Sequence, residues 1–316
     1  MKSFFNEDPP QSSQHHYPFD RHPRTHSIMS EPCCPPGAIG TTFQKNDLKP
    51  KGKIYNLSAV GDDRSGLKGL PCYKSCGNCT TNPHPKRVIL VFSDVFGIDN
   101  GNHKLFCDQL QTSMGDDTQV WMPDFFRGHP ILRDLGWDFL TFNKLVAGLQ
   151  FTLHRLRISS ETIEADLTQI VVPKIREIGC QSVGVVGFCF GGWVIARCLA
   201  LENSTISCGV GIHPSWQPEK FYAKPTTSEE ELGERTQTKP MLLLPAKQDQ
   251  ALMADTDIVK ALAERRSIKP EEVAIAFPEM DHGFVSRGDS SDPKIKEAQE
   301  RALSLTAEFL KKHLNV

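Results

Sequence analysis

The stretch Ser182-Val183-Gly184-Val185-Val186-Gly187-Phe188-Cys189-Phe190-Gly191-Gly192 decides the fold. Its first five residues form a short apolar run of the kind that makes a strand buried on both faces. The segment from Gly192 to Leu201 reads as a helix. Between them, Gly187-x-Cys189-x-Gly191 has the spacing of a nucleophile elbow, in which a strand turns sharply into a helix and one side chain is held in a strained position at the turn. Here that side chain is a thiol rather than a hydroxyl. The glycines remove side chains that would clash, and the helix N-terminus favours negative charge on the sulfur. A glycine-rich strand–helix turn with an inert buried cysteine has the same local text, so the reading depends on partners elsewhere in the chain.

An elbow enzyme presents its acid and then its histidine later in the sequence, each after a strand. Asp249 follows the apolar strand Met241–Leu244, and His282 follows a predicted strand Val273–Phe277. Asp255 and Asp257 compete with Asp249 but read as the cap and first turn of a helix from Asp255 to Arg266. Asp281 adjoins His282, so its side chain should point elsewhere. Stabilising an oxyanion needs two N–H donors. The backbone of Phe190 supplies one, and the loop Ser93-Asp94-Val95-Phe96-Gly97, after the apolar run Val88–Phe92, supplies the other at Val95. Asp94 in that loop either holds or steers the proton of the thiol or simply forms the turn.

Outward from the elbow the alternation of strands and helices continues. Lys104–Met114 is helical, Gln119–Met122 is a short strand, and Ile54–Val60 alternates like a half-buried one. Residues 160–178 carry apolar residues at helical spacing, opened by Ser160 and kinked by Pro173. Ile206–Ile212 is a further strand, and Pro293–His313 a final helix. This order predicts an α/β fold with a mostly parallel central sheet, helices on both faces and its chemistry in the loops after the strands. Residues 129–158 are unusually aromatic (Trp137, Phe139, Phe142, Phe151), fitting either an extra helix over the site or packing on its flank.

Composition excludes several classes. The formal net charge of -2 gives no basic face for a nucleic acid, and no apolar stretch is long enough to span a membrane. Lys2-Ser3-Phe4-Phe5 runs into Glu7 and Asp8 rather than an apolar core, unlike a secretory signal, and the first fifty residues balance five basic against five acidic side chains, unlike a transit peptide. A cytoplasmic location is expected. Those fifty residues also hold eight of the 22 prolines and four of the 11 histidines without any periodicity. Residues 1–45 therefore read as a solvated, disordered Pro/His-rich tail, its histidines being alternative metal ligands, before one domain over 46–316.

Reducing conditions argue against a disulfide framework for the ten cysteines, several of which read as small buried hydrophobes. Cys72, Cys76 and Cys79, with His84, have ligand types suited to zinc, but the spacing is irregular and a second knuckle is missing. A surface cluster in a hairpin loop, either unpaired or adventitiously oxidised, is the preferred reading, and no metal site is assigned.

Gly187–Gly192, Ser93–Gly97, Pro123-Asp124-Phe125-Phe126-Arg127-Gly128, His213-Pro214-Ser215 and His282-Gly283-Phe284 together resemble the dienelactone hydrolase family (carboxymethylenebutenolidases), and eukaryotic members more than the short bacterial ones. The resemblance covers about residues 52 to 316. It implies an α/β-hydrolase fold and hydrolysis of a lactone or carboxylic ester without a cofactor. By position it implies a triad of Cys189, His282 and Asp249, with Asp94 in the place of the family's acidic residue beside the thiol, where bacterial members carry Glu. Two arginines bind the substrate carboxylate in those members, and Arg127 and Arg287 each lie one residue from the matching places. The expected ligand is thus a small lactone or ester, anionic where the arginines engage it; a surface pair of Arg287 with Asp289 or Asp292 is the other reading of that residue. The competing function is a non-catalytic or redox-responsive protein of the same fold, with Cys189 as a sensor thiol.

Overall fold

Seven strands form one sheet in the order β1-β2-β4-β3-β5-β6-β7. They are β1 (Lys53–Leu57), β2 (Leu70–Cys76), β3 (Arg87–Phe92), β4 (Thr118–Pro123), β5 (Ser182–Phe188), β6 (Ile206–Ile212) and β7 (Met241–Leu244). The computed structural model describes residues 49–58, 69–77, 83–130, 158–201, 205–223, 227–236 and 239–315. The tail 1–45, Cys79 and the aromatic residues Trp137, Phe139, Phe142 and Phe151 lie outside the described residues. β1–β2 and β2–β4 pair antiparallel, whereas β4–β3–β5–β6–β7 is parallel throughout. The chain is an α/β-hydrolase fold.

The parallel strands are apolar on both sides because both sides are covered. Along β3, Val88, Leu90 and Phe92 face one helical layer while Ile89 and Val91 face the other. The first layer contains α4 (Phe190–Ala200) and α7 (Asp257–Arg266); the second contains α1 (His103–Met114) and α10 (Pro293–His313). Glycines let α10 approach the centre of the sheet. A Cβ on Gly184 would lie only 2.8 Å from a methyl of Leu310.

Several local expectations change. β1 is not half-buried; four of its five residues are exposed and only Leu57 is covered, as befits an edge strand. Residues 160–178 form α2 (Ser160–Asp166), a π-turn (Leu167–Val171) and α3 (Val172–Glu177), with Ser159 rather than Ser160 as the cap. The wider π-turn ends just before Pro173, which cannot donate to the helical ladder. Val273–Phe277 is not a strand. Pro270 and the acidic Glu271 and Glu272 open a one-turn helix, α8 (Pro270–Val273), and only isolated bridges tie Ala274 and Phe277 to the β7 region. Thr256, not Asp255, caps α7, and Asp257 is its first residue.

The cysteine cluster is also rearranged. Cys72 is not in a hairpin loop but buried within β2, and Cys76 ends that strand and is disulfide-bonded, within the oxidised alternative read for the cluster. The His84 ring hydrogen-bonds the carbonyl of Ile178 at 3.1 Å. Among the described residues, no group of three or more His, Cys, Asp and Glu side chains is gathered as metal ligands.

Candidate active site

β5 ends at Phe188, and Cys189 is the N-cap of α4 with φ 50° and ψ -111°, a strained conformation for a residue with a side chain. Close packing maintains it. A Cβ on Gly187 would lie 2.0 Å from the carbonyl oxygen of Gly191, and one on Gly191 would lie 2.3 Å from that of Phe92. Only glycine at both positions lets the strand turn into the helix against the end of β3. The Cys189 N–H donates to Ile212 O at 3.2 Å, anchoring the turn to β6.

Asp249 follows β7, and its two oxygens have separate partners. Oδ2 accepts the Ala246 N–H at 2.8 Å, which fixes the carboxylate, and Oδ1 faces His282 Nδ1 at 2.6 Å. Gln248 aligns the histidine segment by accepting the His282 N–H at 2.7 Å and donating to Asp281 at 2.7 Å, so Asp281 is directed away from the imidazole. The imidazole is fully buried and interacts with the Cys189 sulfur. Burial alone would lower the pKa of His282. The Cys189 sulfur and the Asp249 carboxylate outweigh burial and push it up to about 10. By contrast, burial pushes the thiols of Cys72 and Cys208 up to about 12, leaving both inert in β2 and β6.

The parallel register sets Phe92 beside Gly187, so the loop from Ser93 runs next to the elbow. Within it, the Phe96 N–H donates to Asp94 Oδ1 at 3.0 Å and the Gly97 N–H to Asp94 O at 3.1 Å. Val95 lies between them in the chain. Phe190 is the first residue of α4, where a backbone N–H has no acceptor within the helix.

The structure brings Asp94 and Arg287 together. The Arg287 guanidinium donates to Asp94 Oδ2, the Ser286 hydroxyl donates to the same oxygen at 3.2 Å, and both charged side chains are wholly shielded from solvent. Arg287 is therefore not paired on the surface. Asp289 instead accepts the Ser291 N–H and Asp292 caps α10. Gly283, at φ 95°, makes room for the arginine, since a Cβ there would lie 2.4 Å from Nη2. Arg127 is elsewhere engaged, making a two-pronged ion pair with Asp166 at 2.7 and 2.9 Å.

Three residues near these groups received no role from sequence reasoning. His103 is fully buried; its Nδ1 pairs with the Asn100 carbonyl at 2.6 Å, leaving Nε2 to accept the Asp94 N–H at 3.4 Å. His213 follows β6 with φ 37° and stacks edge-on against His282, ring centres 5.0 Å apart. Burial, reinforced by the positive charges of His282 and Arg287, keeps it well below the usual histidine range and so neutral. Ser215 brings its hydroxyl to 3.8 Å from Cys189 Sγ. The only signal for the last two was His213-Pro214-Ser215 directly after a strand.

The model of the dienelactone hydrolase family matches residues 77–314. The chain belongs to that family. This dienelactone hydrolase family member is 26% identical over 234 residues to the hydrolase pyvD of Aspergillus violaceofuscus, covering 72% of this chain and 81% of that one. It is 22% identical over 292 residues to the hydrolase tropI of Talaromyces stipitatus, covering 91% and 98%. Both relatives are fungal, in line with the eukaryotic lean of its sequence. Esterase 2 of Thermogutta terrifontis, in a structure phosphorylated by paraoxon, shares the fold with a TM-score of 0.52 at 13% identity, covering 83% of this chain and 94% of that one. The family member is accordingly a hydrolase. No helix among its described residues is long and apolar enough to cross a membrane.

Proposed function

We propose that this hydrolase uses Cys189 as its nucleophile, His282 as general acid and base and Asp249 to orient the imidazole, and that it cleaves a lactone or carboxylic ester. The observation that carries this reading is one imidazole whose Nδ1 meets Asp249 at 2.6 Å and which the Cys189 sulfur and the Asp249 carboxylate together raise to about 10. A protonated imidazole beside a sulfur at a helix N-terminus favours the thiolate, which is the nucleophilic form.

In the first half-reaction the thiolate attacks the carbonyl carbon, and the amides of Val95 and Phe190 hold the resulting oxyanion. As the intermediate collapses, the C–O bond breaks and His282 gives its proton to the departing oxygen, leaving a thioester. Neutral His282 then removes a proton from water as the water attacks the thioester. The acid is released, and the proton returns the site to its starting state. Asp94, whose oxygens are held by the Phe96 N–H, the Ser286 hydroxyl and Arg287, would act on the sulfur's proton only when released from the arginine, before the thiolate forms.

A substrate anion beside the scissile carbonyl is proposed to meet Arg287, with Arg127 as the second cation. Both guanidiniums rest on carboxylates of the chain, so such a substrate engages them in competition with Asp94 or Asp166. Repeated turnover of an activated aryl ester, with release of the free acid, tests the catalytic reading. A protein that only senses oxidants or electrophiles through Cys189 would be modified once and stop.

A further inference from the structure

We propose that the Ser215 hydroxyl donates a hydrogen bond to the Cys189 sulfur, stabilising its anionic form and fixing its direction; this rests on Cys189 being the nucleophile. The argument begins where the chain leaves β6. His213 adopts φ 37°, a left-handed conformation uncommon for a residue with a side chain. The bend has a clear structural result. The His213 N–H reaches Leu244 O at 2.9 Å on the β7 side, while the Ser215 N–H turns back and reaches Cys189 O at 3.0 Å on the β5 side. Together with the bond from the Cys189 N–H to Ile212 O, this brackets the strained peptide of Cys189 on both sides.

Pro214 seats the segment. Its Cβ lies 2.5 Å from where a Cβ on Gly192 would be, so the approach exists only because that position is glycine. The outcome is a hydroxyl 3.8 Å from Sγ, within reach of a sulfur hydrogen bond, on a residue only 3% exposed. Bulk water is therefore largely excluded from competing for it. A thiolate has no proton to give, so in the reactive form the hydroxyl must be the donor. His213, in the same segment, stays neutral against His282 and adds no positive charge that would oppose the imidazolium. The segment thus meets the nucleophile through Ser215 and the base through His213.

The sulfur loses its negative charge as it forms the C–S bond, so this hydrogen bond belongs to the resting enzyme. Its effect should therefore appear as a pH shift rather than a uniform loss of rate. The experiment follows kcat/KM for an aryl ester and the rate of iodoacetamide alkylation on the Cys189 peptide, between about pH 4 and 9, where cysteine thiols titrate. Ser215→Ala deletes one oxygen and keeps the backbone bond to Cys189 O. It is expected to move the acidic limb of both profiles up by about one unit, a tenfold loss on the acidic side, with near-normal rates on the alkaline side. Ser215→Thr keeps the hydroxyl and is expected to retain the original limb. An unmoved limb in Ser215→Ala, or an equal loss at every pH, would overturn the proposal. If iodoacetamide inactivates the unsubstituted enzyme without modifying Cys189, the nucleophile assignment itself fails, which is a distinct result from an unmoved limb.

Discussion

Arg287 and Asp94 form an ion pair with both side chains fully shielded from solvent, although 193 positions separate them in the chain. Removing one partner leaves the other charge buried. Arg287→Met is therefore expected to lower the unfolding free energy by about 3–5 kcal/mol. Asp94→Asn combined with Arg287→Met leaves no net buried charge and is expected to recover part of that loss. Urea denaturation of the two proteins measures the difference. Equal stabilities would mean that the charges are relieved by water.

The doubly substituted protein also tests the ligand role of Arg287 with part of that stability cost recovered. A charge-assisted hydrogen bond to a substrate carboxylate is worth about 1.5–3 kcal/mol, so kcat/KM for an anionic lactone is expected to fall roughly ten- to 150-fold relative to the Asp94→Asn single variant. A neutral ester of similar size should lose little. Equal losses for both substrates would assign the pair to loop support alone.

The raised His282 fixes the direction of a stability change with pH. A group whose folded value is raised binds its proton more tightly in the native state. Its contribution is complete below the ordinary histidine value of 6.5 and is lost as pH rises through about 10. Stability should therefore decline across that window, and Cys189→Ala, which removes the largest of the upward influences, should move the histidine's titration to lower pH. Proton NMR of the His282 ring follows the titration directly. An unchanged midpoint in Cys189→Ala would remove the sulfur from the account of the imidazole.

The elbow itself is testable through its glycines. Gly191→Ala places a methyl where the Phe92 carbonyl oxygen already lies 2.3 Å away. Overpacking of this kind costs about 1–3 kcal/mol, and because the backbone must yield at the residue that carries the thiol, activity should fall more than stability. Parallel measurements of urea midpoint and aryl ester turnover separate the two. Retained activity would show that the turn tolerates a wider geometry than its packing indicates.

The parts of this architecture visible in the sequence were those written locally. β5, the two glycines around Cys189 and the order Cys189, Asp249, His282 rest on run length, spacing and sequence order, and the structure brings His282 Nδ1 to 2.6 Å from Asp249. The strand expected at Val273–Phe277 failed because Val273, Ile275 and Phe277 alternate like a strand, while Pro270 and two glutamates open a helical turn first. The Asp94–Arg287 pair was not visible because nearer partners existed for each, and only tertiary packing buries both. His213 and Ser215 gave no periodic signal, since their roles come from one backbone bend after β6.

The most direct test of the central claim is kcat/KM for an activated aryl ester in the Cys189→Ala protein. In the proposed triad the thiol and His282 act as a unit, so removing the sulfur alone should lower hydrolysis by about 10³-fold or more, with the fold intact by circular dichroism. His282→Ala should lose about as much and Asp249→Asn less, because Asp249 only orients and stabilises the imidazole. A Cys189→Ala protein that keeps half of the original activity would contradict the account, and the hydrolysis would then have to come from another group.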